Sequence, residues 1–247
     1  MNIYFVRKNS NKIILSSKNA RNDLKKISYK AYKKSIVNPF IFDLIDRKKI
    51  LSLKNLQKKY KLRKNFFYLP NQYFVHKNHL VVLKALKEVI KNKKNKDITI
   101  VSTGLNNDHR NPTYFKQLNL FIKKNKLNNN YLYLGIIPYR DMMSLIYNSI
   151  ALINPSKFEG WSSSVEQAKS MGKKIILSNI AVHKEQDPQR AEFFNKNNHQ
   201  ELAKIIKKIW FSYDRAYEKN IIKKSYKILK QRLTKYALDY QKIILNN

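Results

Sequence analysis

Two carboxylates, Glu159 and Glu166, flank a loop of mostly small residues, Gly160-Trp161-Ser162-Ser163-Ser164. A carboxylate accepts two hydroxyl hydrogen bonds at once, so a loop acid here suits a ligand with several hydroxyls. Ser163 and Glu166 stand in the S-x-x-E spacing of a capping box, which predicts a helix start. The unpaired N–H groups of a helix start receive phosphate. Before the loop, the apolar run Ala151-Leu152-Ile153-Asn154 reads as a strand ended by Pro155. After it, Gly172 stops the helix and Ile175-Ile176-Leu177 forms the next strand. The loop therefore lies outside the carboxyl end of a strand, where open α/β sheets bind ligands.

A phosphate also needs a cation, and it should come from another loop on the same edge. Lys77, in LPNQYFVHKNHLVVL, follows a strand ending at Leu69 and is the candidate. Lysine is common throughout the chain, so placement singles it out, not residue type. The chain has only four glycines, and Gly104, Gly135 and Gly160 each fall just past a predicted strand. Turns from strand to helix favour glycine anyway, but three on one edge predict a binding cleft. His76, His79 and His183 have no acidic or histidine spacing for a metal site, and no bound metal is expected.

The elements that position these residues alternate along the chain. Strands are expected at 12–16, 66–69, 98–101, 131–134, 151–154 and 175–177. Helices are expected at 19–26, in a short stretch capped by Ser52, and at 79–90, 111–126, 140–148 and from Ser163 to Gly172. Alternating strands and helices of this length predict an α/β fold, a Rossmann-like parallel sheet with helices on both faces. Residues 27–49 show little periodicity and read as a linker, while 199–245 is helical throughout. Three parts are expected: 1–62 as a remnant and linker, 63–198 as the Rossmann-like ligand-binding domain, and 199–247 as a helical tail.

With 43% hydrophobic and 12% aromatic residues in 247, the chain is too apolar to be disordered. It has no run of 18 apolar residues to span a bilayer, no signal-peptide core at its start and no cysteine. A cytoplasmic location is expected, with contact at the inner membrane face an option. The net charge of +35 suits nucleic acid, anionic lipid or a phosphate-bearing substrate. The lysines are spread along the chain instead of being gathered on one arm or face, so nucleic acid is not the expected partner.

The stretch 151–185 resembles the donor-sugar signature of the glycosyltransferase family 4 (group 1) enzymes, whose fold is called GT-B. In that family a Glu at the strand end is followed by a Gly-rich loop and a second Glu at a helix start. Glu159, Gly160 and Glu166 match, as does the segment Ser178 to Glu185. Six residues separate the two Glu here, the spacing of a branch written much like Glu-Gly-Trp-Ser-x-x-x-Glu, where seven is usual. The resemblance implies that Glu159 contacts the donor sugar near the reacting carbon and that Glu166 contacts the ribose. Lys77, Gly160 and Ser162–Ser164 would meet the diphosphate, though the family's Arg is Gln72 here. Ser102 and Gly104 match a glycine-containing turn, and Gly135-Ile136-Ile137 the segment that meets the base.

So read, the chain is a retaining glycosyltransferase that uses a UDP- or GDP-linked sugar and a glycan or lipid-linked acceptor. No cofactor is expected. Residues 12–26 resemble the end of the N-terminal GT-B domain, most of which would be missing. A gene fragment, a split enzyme with an N-terminal partner chain and a shortened enzyme all fit that pattern. Two other functions stay open: a non-catalytic donor-binding subunit, and a basic nucleic-acid-binding α/β protein. The sequence has no G-x-G-x-x-G or Walker loop, which argues against dinucleotide oxidoreductases and P-loop NTPases.

Overall fold

The structure is a computed structural model that describes residues 8–43, 46–186 and 188–245. Six strands form one parallel sheet: β3 (Phe67–Pro70), β4 (Ile100–Thr103), β5 (Tyr131–Tyr133), β6 (Leu152–Asn154), β7 (Ile175–Ser178) and β8 (Ala191–Phe194). Their order is β5-β4-β3-β6-β7-β8, and every paired neighbour runs parallel. A second, two-stranded parallel sheet pairs β1 (Ile13–Leu15) with β2 (Ser35–Val37).

Both faces of the large sheet are buried, which is why its strands read as unbroken apolar runs. Successive side chains alternate between two cores. Phe67, Leu69, Ile100, Ile153 and Ile176 face one of them, with α4 (His79–Ile90), α5 (Tyr114–Lys124) and α9 (His199–Phe211). Tyr68, Val101, Leu152, Ile175 and Leu177 face the other, with α3 (Leu53–Tyr60), α6 (Tyr139–Asn148) and α7 (Ser163–Ser170). On α9, Leu202, Ile206 and Ile209 pack into the first core. The α/β arrangement expected from the sequence is therefore present, with helices on both faces.

Three local expectations need correction. Residues 27–49 are not a plain linker, because they hold α2 (Tyr29–Lys33), capped by Ser28, and the strand β2. The strand β8 was not expected at all; it is an edge strand, only partly buried, and Glu192 interrupts its apolar run. The capping box at Ser163 does not form. Ser162 is the N-cap, its side chain makes no cap bond, and Gln186 instead clamps its backbone from α8 (Ala181–Gln186).

The remaining elements tie the chain ends to the large domain. Ser17 caps α1 (Lys18–Ile27), and Glu185 accepts from the N–H groups of Lys18 and Asn19 at that helix start. A 31-residue helix, α10 (Arg215–Leu245), runs back past α7, and Lys12 donates to Ile243 O near its end. Among the described residues no helix is long and apolar enough to cross a membrane.

Candidate functional site

The strand order reverses between β3 and β6: β4 and β5 lie to one side, β7 and β8 to the other. Loops leaving the carboxyl ends of such a central pair diverge to opposite faces and open a crevice. The loop after β3 carries Lys77, and the loop after β6 carries Glu159. Their side chains meet, with Lys77 Nζ 2.7 Å from Glu159 Oε1 and both largely shielded from solvent.

A buried polar cluster beneath this pair holds the two loops together. Asn71, Asn154 and Ser156 are all buried. Ser156 Oγ lies 2.7 Å from Glu159 Oε1 and 2.8 Å from Asn154 Oδ1, and Asn71 Nδ2 donates to the same Asn154 oxygen at 3.2 Å. Asn154 Nδ2 donates to Ser162 Oγ at 2.8 Å, so one side chain links the strand end to the start of α7. Backbone contacts add to the join: Lys157 N donates to His76 O, and Asn78 Nδ2 to Pro155 O. Asn78 sits at the start of α4 with a left-handed backbone, φ 58°, which asparagine tolerates well.

The start of α7 lies at the same edge. Ser162 and Ser164 are buried and bonded to each other and to Asn154, while Ser163 and Gly160 are exposed. Glu166, further along α7, is buried; its Oε2 pairs with Arg232 Nη2 at 2.7 Å, and Gln186 Nε2 lies 3.5 Å from its Oε1. A cavity of about 340 Å³ opens beside Glu159, lined by Asn19, Phe158, Asn179, Ala181 and Lys196 among others. A larger cavity, about 500 Å³, lies near Gly172 and Lys173; none of the site candidates borders it.

The glycine turns are placed as expected but for mixed reasons. Gly104 N donates to Gly135 O, so the turns after β4 and β5 touch. At Gly104 φ is +137°, and a Cβ would lie 2.5 Å from Asn71 O, so close backbone approach requires glycine there. Gly135 has φ +71° and open space around it, and Ile136 beside it is exposed. Ser102 does not reach the cleft: it is buried, donating to Leu69 O and accepting from Tyr73.

His183 and His79 are structural. Each is buried, and burial lowers its pKa, in His79 to about 3. His183 Nδ1 donates to Ser178 O at 3.0 Å, and Ser178 Oγ in turn donates to Ser156 O. Among the described residues no three His, Asp or Glu side chains gather as a metal site.

Comparison with known proteins bears on this geometry. The model of one protein family, glycosyl transferases group 1, matches residues 52–228. The chain belongs to that family. Its fold is that of solved GT-B glycosyltransferases, the six-stranded sheet matching their C-terminal Rossmann-like half. A glycosyltransferase from Rickettsia africae superposes with a TM-score of 0.74 at 20% identity, covering 98% of this chain and 68% of that one. HepE from Anabaena, solved in complex with UDP, gives 0.79 at 16%, covering 99% and 66%. Sucrose-phosphate synthase from Thermosynechococcus elongatus gives 0.75 at 13%, covering 98% and 59%. The chain thus spans 59% to 68% of the length of these three. No curated protein is similar enough in sequence to count as a relative.

Sequence reasoning found Lys77, Glu159 and the start of α7, which the structure brings together. It missed Asn71, Asn154, Ser156, Gln186 and Arg232. Asn154, a polar residue closing an apolar strand, carried a signal; Arg232 is one cation among many in a long helix.

Proposed function

We propose that this glycosyltransferase-family chain binds a nucleotide-sugar and serves its transfer, with retention, to a cell-surface polysaccharide or lipid-linked glycan. One observation carries the reading: Lys77 and Glu159, from loops on either side of the strand-order reversal, meet beside the start of α7. The nucleoside diphosphate leaves as an anion, and Lys77 with the first N–H groups of α7 provides the charge to receive it. Glu159 then addresses the sugar hydroxyls and Glu166 the ribose. Ser163, exposed at the first turn of α7, and Gly160 border the phosphates; Ser162 and Ser164 hold the turn in shape. HepE, of like fold, has been solved with UDP and with UDP-glucose, which favours UDP as the first donor to test. No metal is required in this reading.

In this reading 1–62 is the remnant and linker, 63–198 the donor-binding domain and 199–247 a helical tail whose α9 shares the core of the middle part. A donor-binding subunit is the second reading. It is favoured by the pair β1–β2, which among the described residues is a parallel sheet of two strands, since such a sheet is marginal without further strands. A partner chain supplying the acceptor half would complete it. Either protein would work in the cytoplasm, at or near the inner membrane face.

Calorimetric titration with UDP, GDP and their sugars tests both readings. Saturable binding, selective for one base and weakened by about 1.5–3 kcal/mol in Lys77→Ala, is expected. A folded chain that binds no nucleotide sinks both. Transfer by the chain alone separates the first reading from the second.

A further inference from the structure

The buried stripe of α10 leads to Glu166. Glu218, Ile222, Ser225 and Leu229 are its buried residues, spaced by four, three and four, and Arg232 continues the stripe three residues on. The stripe is pinned at both ends by ion pairs. Glu218 takes both guanidinium nitrogens of Arg190, and Arg232 Nη2 meets Glu166 Oε2 at 2.7 Å. Between the pins, Gly172 allows close approach, since a Cβ there would lie 2.8 Å from Ser225 Cβ. The register of α10 is thereby set, and with it the position of the guanidinium over α7.

Glu166 is held asymmetrically. Oε2 has a short, charge-assisted bond to Arg232, while among the described residues Oε1 has only Gln186 Nε2 at 3.5 Å. The amide of Gln186 is already engaged, accepting from Ser162 N at 3.3 Å and donating to Ser162 O at 3.0 Å. One carboxylate oxygen is thus anchored, and the other is weakly satisfied.

We propose that Arg232 is a positioning residue for nucleotide recognition: it anchors one oxygen of Glu166 so that the other meets the ribose hydroxyls. The inference rests on the reading of Glu166 as the ribose contact. It makes α10, which reaches back to Lys12 beside β1, part of the donor site.

The test is calorimetric binding of UDP and of 2′,3′-dideoxy-UDP to the full chain. Wild type is expected to prefer UDP by about tenfold, the scale of a hydrogen bond to a charged group. Glu166→Gln is expected to bring that ratio towards one. Arg232→Met should do the same while the dideoxy nucleotide binds as to wild type, and Arg232→Lys, which keeps the charge, should recover part of the preference. If Arg232→Met weakens both nucleotides alike, or leaves the ratio intact in a folded protein, Arg232 only braces the helix and the proposal fails. Should Arg232→Met not fold, an Arg232→Lys ratio equal to that of wild type, in which a shorter and differently shaped donor has no effect, also overturns it. A wild type that does not distinguish the two nucleotides, or a Glu166→Gln that still does, removes the ribose reading itself.

Discussion

Glu159 accepts from Lys77 and Ser156 on a single oxygen, Oε1. The arrangement resembles that of Glu166, with one oxygen anchored so that the other can address a ligand. Replacing Glu159 by Ala is expected to abolish transfer without unfolding the chain, because Ser156 can donate to Asn154 Oδ1 instead and Lys77 is partly open to solvent. Thermal melting and a transfer assay on the same preparation check this, and normal turnover would remove Glu159 from the chemistry. Ser156→Ala makes a finer test. It deletes one of the two bonds on Oε1 and leaves Lys77 in place, so donor diphosphate binding should hold while transfer falls about fivefold, worth roughly one hydrogen bond. Glu159 and Lys77 were legible in the sequence because their loops follow recognisable strands. Ser156, two residues from the strand end, was not, because its role depends on which residues its neighbouring loop brings near.

The element scale explains why some local patterns misled. The S-x-x-E spacing at Ser163 is genuine, but tertiary contacts override it: Gln186 takes the Ser162 backbone and Arg232 takes the Glu166 carboxylate. The apparent linker at 27–49 lacks periodicity because β2 is three residues long, too short to show an alternation. Its later part still matters, since Phe40 O accepts from Trp161 Nε1 and Phe42 O from Ser170 Oγ, tying it to the loop and helix that follow β6. Five of the six strands of the large sheet and the longer helices beside them were legible, their apolar runs and caps all pointing one way. Gly104 was singled out for cleft formation; the structure shows that it admits the Asn71 carbonyl. Gly104→Ala therefore strains the backbone and pushes on the loop that carries Lys77. A loss of about 1–3 kcal/mol is expected in denaturant unfolding, with weaker donor binding. Unchanged stability would show that the loop yields easily and that the contact has no structural weight.

At the scale of the whole molecule, 51 Lys and Arg face 16 Asp and Glu, and the resulting positive field draws diphosphates while straining the fold by self-repulsion. Acidification sharpens that strain at two buried histidines, and the consequence has a definite sign. His79 stacks on Tyr73 with ring centroids 4.0 Å apart, and its Nε2 donates to Asn71 O at 3.2 Å. Burial lowers its pKa from 6.5 to about 3, with Lys77 adding to the effect. In the unfolded chain the same ring protonates near 6.5. Below that pH the unfolded state binds a proton that the folded state refuses, so stability falls as pH drops from 6.5 towards 3 and is fully present above 6.5. His183 is lowered in the same direction, also by burial, and adds to the slope. His79 costs up to about 1.4 kcal/mol per pH unit in this window, whose upper part lies above the range where most carboxylates titrate. The melting temperature of wild type should therefore drop between pH 6.5 and 5, and His79→Gln should melt lower at pH 7 but lose less on acidification. If the wild-type and His79→Gln curves run parallel from pH 7 to 5, His79 takes up its proton in the fold, and the acid sensitivity must lie elsewhere.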